Sequence, residues 1–320
     1  MRRFFLMWLL VIITLHIAKA QTGTASGSVK DGKGNPLHFV FVGDEQYKEA
    51  VYSDSSGNFT IMVHPDSKLQ FELAGYKDTT VSIGKNQDLQ VVLRSFGNST
   101  SNNSLNTKST LSGSADIQHS NDVDLLRLPG HEKGKVRGNR YLFDNFVHGF
   151  IISSTDVLLH DPAYTFDYDK LSGALLLTKD KNSVEEISFD HTKSFILYDN
   201  KDNRFVFEKV PAIDNAHYVQ VLASGKRYKI YKLIKTKFVK ADYVNSGLIA
   251  HGTDYDEYID GADYYVLDLQ SGHPQKLLLK KKSIKENFAE EADKVNKFLS
   301  DNSGNMDDTY LSKLGDYMNQ

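Results

Sequence analysis

The sequence predicts a mainly β protein in two parts, with helices reserved for the C-terminal end. Three observations carry this reading. Short runs of β-branched and aromatic residues recur between turns rich in Gly, Asn, Asp and Pro, the signature of a sandwich or barrel. A stretch of Ser, Asn, Thr and Gly at 95–122 interrupts them and is too polar to offset its own ordering entropy. Apolar residues at helical spacing gather near the end of the chain.

The elements follow in order. Residues 1–20, MRRFFLMWLLVIITLHIAKA, carry Arg2 and Arg3, an apolar run from Phe4 to Ile13 and the small-residue pattern Ala18-Lys19-Ala20. The apolar run is short beside the roughly 20 residues of a membrane span. The pattern reads as a secretory signal peptide cut after Ala20. Cleavage would take the net charge from −3 to −6 by removing Arg2, Arg3 and Lys19. That balance makes no electrostatic case for nucleic acid. The expected location is periplasmic or secreted, with no membrane span left after cleavage. The chain has no cysteine, so it has no disulfide, no thiolate metal site and no lipid-modified cysteine.

Residues 22–94 form the first domain. Strand-like runs alternate with turns at DGKGNP, DSSGN, HPDS, AGYKD and GKNQD. The DSSGN turn tests the reading. A calcium loop needs several more oxygen ligands, and a phosphate loop needs further glycines, a lysine and a following helix. Here Phe59, Thr60 and Ile61 continue a strand. A hairpin turn accounts for the stretch, with Asp54 and Ser55 bonding the backbone and Gly57 at positive φ.

Residues 95–122 read as a flexible linker, and the sequons at Asn98 and Asn102 are expected by chance in so Asn- and Ser-rich a run. The second domain is 123–320. Its first residues, 123–136, suggest a short ordered entry. Strands are expected near 150–153, 163–168, 174–179, 184–188, 194–198, 205–210, 218–223, 227–237, 263–269 and 275–280. The tight turns between them predict antiparallel hairpins in a meander. SIKENFAEEADKVNKFLSDN then predicts one helix, with Ser283 as N-cap, Glu286 as its capping-box partner and a stripe of Ile284, Phe288, Ala292, Val295 and Leu299. DDTYLSKLGDYM predicts a second, with Asp307 near its cap and Tyr310, Leu314 and Met318 on one side.

Candidate sites are sparse. The densest acidic run, DYDEYIDGAD, brings Asp254, Asp256, Glu257, Asp260 and Asp263 together in sequence. It reads as a solvated loop, with a hard cation such as calcium as the alternative. His160-Asp161 and Asp190-His191 are neighbours whose side chains leave opposite faces of a strand, so neither is a ready dyad. Lys276, Lys280, Lys281, Lys282 and Lys285 read as charges guarding an edge strand. Tyr228, Tyr231, Tyr264 and Tyr265 read as core or cross-strand partners, with a sugar-stacking platform as the alternative. No HExxH, G-x-S-x-G or Gly-rich nucleotide loop occurs, and no cofactor is expected.

Order and spacing also carry a resemblance. Gly27, Val29, Gly34, Pro36 and Leu37, then Ser53, Asp54, Gly57, Phe59 and Ile61, then Phe71, Gly75 and Tyr76 resemble the carboxypeptidase regulatory-like domain of exported Bacteroidetes proteins. The resemblance covers about a quarter of the chain and implies a transthyretin-like β-sandwich of seven strands, an accessory rather than catalytic module. His38-Phe39 departs from the family's small residues, a question of local strand packing. The second region, through GNRYLFDNFVHGFI, the 168–177 hairpin and the Lys-rich terminal helix, is similar to β-rich domains of exported Bacteroidetes proteins; that similarity implies no activity.

These readings lead to a non-enzymatic binding or interaction protein of the bacterial envelope, with an envelope protein or a glycan as partner. Two alternatives stay open: an extracytoplasmic enzyme whose site is assembled in the second domain, and an accessory to an outer-membrane uptake receptor.

Overall fold

The computed structural model describes residues 22–84, 88–96, 117–118, 135–180, 183–245 and 250–320. The signal peptide read at 1–20 and most of the 95–122 linker lie outside the described residues. The chain divides into two compact units, Met1–Asn103 and Ser104–Gln320.

The first unit has seven strands: β1 (Gly23–Asp31), β2 (Phe41–Asp44), β3 (Glu49–Tyr52), β4 (Asn58–Val63), β5 (Lys68–Glu72), β6 (Thr79–Ser82) and β7 (Asp88–Leu93). They form two sheets, ordered β4-β1-β7 and β3-β2-β5-β6. Strict alternation on β4 points Phe59, Ile61 and Val63 inward and leaves Asn58, Thr60 and Met62 exposed. They meet Val42, Leu69 and Phe71 in one core, where Phe59 and Phe71 pack edge to face at 5.4 Å. Each such side chain stabilises the fold by about 1.5–3 kcal/mol relative to exposure.

The DSSGN segment is a turn, as its chemistry predicts. Asp54 Oδ1 accepts the N–H groups of Ser56 and Asn58 at 2.9 and 2.8 Å, and Gly57 sits at φ +77°. It does not close a hairpin, however. β3 pairs with β2 and β4 pairs with β1, in different sheets. The turn therefore carries the chain from one sheet to the other, because each strand buries its own apolar face against the shared core. At the His38-Phe39 departure the backbone turns sharply, with Phe39 at φ +55° and the two rings stacked at 3.7 Å.

Among the described residues the first strand of the second unit is β8 (Ile117–Gln118), inside the stretch read as linker, which pairs with β14 (Val184–Ile187). The other strands are β9 (Lys135–Arg137), β10 (His148–Ser153), β11 (Leu158–Leu159), β12 (Thr165–Asp169), β13 (Ala174–Thr178), β15 (Thr192–Tyr198), β16 (Arg204–Glu208), β17 (Val219–Ser224), β18 (Tyr228–Val239), β19 (Val244–Asn245), β20 (Ala250–His251), β21 (Tyr255–Asp268) and β22 (Pro274–Leu277). The meander is split between sheets. One runs β11-β10-β15-β16-β17-β18-β21-β22, with β9 parallel on β21, a second runs β12-β13-β14-β8, and β19 and β20 pair as a small two-stranded sheet. Phe166, Tyr168, Leu175 and Leu177 from the smaller sheet meet Phe195, Leu197 and Phe207 from the larger. This apolar surface needs a facing layer, which is why β12 to β14 leave the meander.

The acidic run 254–263 lies mostly in a strand, not in a solvated loop. β21 spans fourteen residues and pairs antiparallel with β18 from Tyr228↔Asp268 to Val239↔Glu257. Tertiary pairing overrides the low β propensity of its aspartates.

The C-terminal segment is α1 (Lys281–Asn287), a 3₁₀ turn (Ala289–Glu291), α2 (Ala292–Asp301) and α3 (Asp308–Met318). Two expectations change. Ser283 is not the N-cap; Lys280 is, without a side-chain cap, while the buried Ser283 hydroxyl accepts the N–H of Leu278 at 3.0 Å. The expected single helix breaks at Phe288 (φ −121°, ψ 33°). The break shifts the helical phase, so Ala292 is exposed while Ile284, Phe288, Val295 and Leu299 stay buried. In α3, Asp307 caps as expected, accepting from Tyr310 N at 2.9 Å. These helices cover Tyr228, Ile230, Val266 and Leu277 of the large sheet. Asn319 fastens the end: Oδ1 accepts from Tyr228 N at 2.9 Å and Nδ2 donates to Tyr228 O at 3.0 Å. Among the described residues no helix is long and apolar enough to cross a membrane.

Candidate functional site

The acidic candidates are not gathered. Asp254 is exposed ahead of β21. Asp256 is buried and accepts the N–H of Ala241 at 2.7 Å. Glu257 points to the other face by strand alternation. Asp260 accepts from Thr236 Oγ1 and Lys170 Nζ, both at 2.6 Å. Its carboxyl lies below the usual range: burial raises it, but the bonds from Lys170 and Thr236 prevail. The fifth aspartate, Asp263, pairs with Lys235 and Lys276 at 2.8 and 2.7 Å. Among the described residues no group of three or more His, Asp or Glu is arranged to hold a metal ion.

Other candidates are likewise dispersed. Asp161 caps its own turn by accepting from Ala163 N at 2.9 Å, and Asp190 faces Lys209 at 3.5 Å. Tyr228 and Tyr231 are buried. Tyr231 donates to Glu208 at 2.9 Å and Tyr264 to Asp308 at 2.8 Å. They serve the core and cross-strand contacts, not a stacking platform. A cavity of about 210 Å³ lies where β21, β22 and α1 meet. Beside it Arg227 bridges Asp268, Glu290 and Glu291, compensating the nearby carboxylates.

The structure does assemble one cleft that the sequence leaves unmarked. The segment entering β10 runs antiparallel to β12. Leu142 N donates to Tyr168 O at 2.9 Å, and Val147 and Phe166 exchange both backbone bonds at 2.8 and 2.7 Å. Between these points residues 143–146 face only Asp167, so the longer segment arches away as a bulge. Opposite it is the turn between β15 and β16. There Asp199 Oδ1 accepts from Lys201 N and Asn203 N at 2.8 and 2.9 Å, and Oδ2 accepts from Asn203 Nδ2 at 2.8 Å. Burial raises the Asp199 carboxyl, yet these bonds hold it below the usual carboxylate range.

Bulge and turn enclose a cleft of about 300 Å³. Leu142, Phe143 and Val147 make its apolar wall, with the Phe143 ring braced edge to face by Phe205 at 5.2 Å. Asp144 and Asn145 stand on one lip; Asp199, Asn200 and Lys201 form the other. The side chains of Asn145 and Asn200 make no hydrogen bond among the described residues.

The bulge stands on two buried carboxylates. Asp167 is 3% exposed and accepts from Phe143 N and Tyr168 N at 3.2 and 2.7 Å. Burial raises its carboxyl to about 7, against the pull of those N–H groups. Asp169 is also buried, and its Oδ2 accepts from Arg140 Nε at 2.8 Å and Ser172 Oγ at 2.7 Å. Desolvation wins at Asp167, which has no cationic partner among the described residues. Asp169 is paired with Arg140 at 2.6 Å. The sequence held a faint signal of this site in GNRYLFDNFVHGFI and the DNKDN turn, but nothing in it pairs those two segments.

Residues 25–107 match the model of the CarboxypepD_reg-like domain. The CarboxypepD_reg-like match covers the seven-stranded sandwich, where the residues that carried the resemblance sit in strands and turns as expected. No curated protein matches the chain. Among solved structures, a streptococcal ancillary pilin is 12% identical, with a TM-score of 0.19, and the match covers 60% of each chain. The chain thus spans 60% of that pilin's length. The major pilin subunit of Bacillus cereus, BcpA, is 8% identical, with a TM-score of 0.17, covering 82% of this chain and 93% of the pilin.

Proposed function

We propose that this is an exported, non-catalytic binding or interaction protein of the bacterial envelope, and that its second unit makes the specific contact through the cleft at 142–147 and 199–201. The CarboxypepD_reg-like match supports an accessory role for the first unit, and the leader-like residues 1–20 support export. The observation that carries the reading is the cleft itself: an apolar wall with polar side chains on both lips, able to meet a ligand that carries both kinds of surface.

One observation favours an enzyme instead. A carboxyl near neutrality beside a cleft is a mark of acid–base sites. Yet the Asp167 side chain accepts from Phe143 N of the bulge and from its neighbour Tyr168 N, which makes it a support for the loop.

A photoreactive residue at Lys201 of the full-length protein, irradiated in the intact envelope, tests the contact. The expected result is a discrete adduct that a probe at Met62, exposed on the first unit, does not form. The same adducts from both probes, or none from Lys201, would overturn the assignment of contact to this cleft.

A further inference from the structure

We infer that the cleft between the bulge and the β15–β16 turn binds a neutral saccharide, an inference that rests on the binding role proposed above. A sugar ring presents two kinds of surface: a face of C–H bonds and an edge of hydroxyls that both donate and accept. The cleft presents the complement. Phe143 is a half-buried aromatic ring in the cleft wall, held against Phe205, and its apolar surface gains from contact with C–H groups. Around it stand two primary amides, on Asn145 and Asn200, each able to donate and accept. Neither makes a hydrogen bond among the described residues, so neither is engaged in holding the bulge or the turn. Asp144 adds an acceptor at one lip, while Asp199 is taken up in holding its own turn.

Size and charge narrow the ligand. About 300 Å³ is the lower end of ligand pockets and suits a short saccharide or the terminus of a longer one. Two carboxylates face a single lysine at the lips, which disfavours an acidic sugar. A peptide strand finds less here. The cleft is short and lies between the bulge and the turn, whereas extended peptides add to an open sheet edge or lie in a long groove.

The test is saturation-transfer NMR and calorimetry on the full-length mature protein. The probes are maltose, cellobiose, mannobiose and N,N′-diacetylchitobiose, with digalacturonic acid as the charged comparison. At least one neutral disaccharide binds, and digalacturonic acid binds at least tenfold more weakly. The double variant Asn145→Ala/Asn200→Ala weakens the neutral ligand by about tenfold or more through loss of two hydrogen bonds. Both asparagines are exposed, so this variant keeps the native melting temperature. Phe143→Ala is the second variant and removes the stacking surface. No binding of any neutral probe, or binding that the double variant leaves intact, would overturn the inference. If the saccharides fail while the Lys201 probe still yields a discrete protein adduct, the ligand class falls and the binding role stands. If both fail, both fall.

Discussion

Asp167 shows how much a single buried group decides. Its carboxyl titrates near 7 in the folded chain and near 4 when unfolded. The folded state thus favours the protonated form. The stability it contributes is complete below about pH 4 and declines as pH rises from about 4 to 7, on the order of a few kcal/mol in all. Asp167→Asn keeps an oxygen to accept from Phe143 N and removes the titration. Urea unfolding at a series of pH values is expected to show the variant gaining on the native protein from pH 4 to 7 and level with that gain above it. Parallel curves would show that Asp167 stays ionised. Gly57 is decisive for another reason. At φ +77° a Cβ is disfavoured, and it would lie 2.6 Å from the Val29 carbonyl oxygen. Gly57→Ala should destabilise by about 1–3 kcal/mol. Gly34→Ala, at φ +89° but with nothing near its added methyl, should fall near the lower end. Equal effects in thermal unfolding would mean that backbone conformation, not the clash, sets the loss.

Among the elements, α3 shows sequence and packing in agreement. Asp307 was legible as a cap because a short carboxylate ahead of a periodic apolar stripe can accept the orphan N–H groups of a first turn. Asp307→Ala is expected to lose about 1 kcal/mol. Gly315 was not legible. It sits in the helix because a Cβ there would lie 2.2 Å from the Ala223 methyl on β17, so glycine lets helix and sheet approach. Gly315→Ala improves helix propensity by about 1 kcal/mol but overpacks the contact by about 1–3 kcal/mol. Net destabilisation in denaturant melts is the expected outcome, and a stabilised variant would show that the helix can lift without loss. The single helix expected at 283–302 failed at Phe288 because periodicity registers the buried stripe but not a break that lets two short helices follow the sheet. The aspartates of β21 misled in the opposite sense. A run of carboxylates looks like a solvated loop until β18 offers its whole length for pairing and Lys170, Lys235 and Lys276 offer countercharges.

At the scale of the whole molecule, the two compact units hold separate hydrophobic clusters. Separate cores unfold separately. Calorimetry of the full-length protein should resolve two transitions, with Gly57→Ala lowering one and Gly315→Ala the other; a single transition lowered by both would mean one cooperative body.

The sequence alone determined the β class, the order of the first seven strands, the capped terminal helix and the absence of disulfides. Each of these is local: a period, a turn residue, a cap, a missing atom. Tertiary structure alone decided that the DSSGN turn joins two sheets, that the meander divides in two, that the acidic run is a strand, and that residues 142–147 face 199–201 across a cleft. These depend on which surfaces meet, and surfaces far apart in sequence meet only because each strand buries an apolar face that another layer must cover.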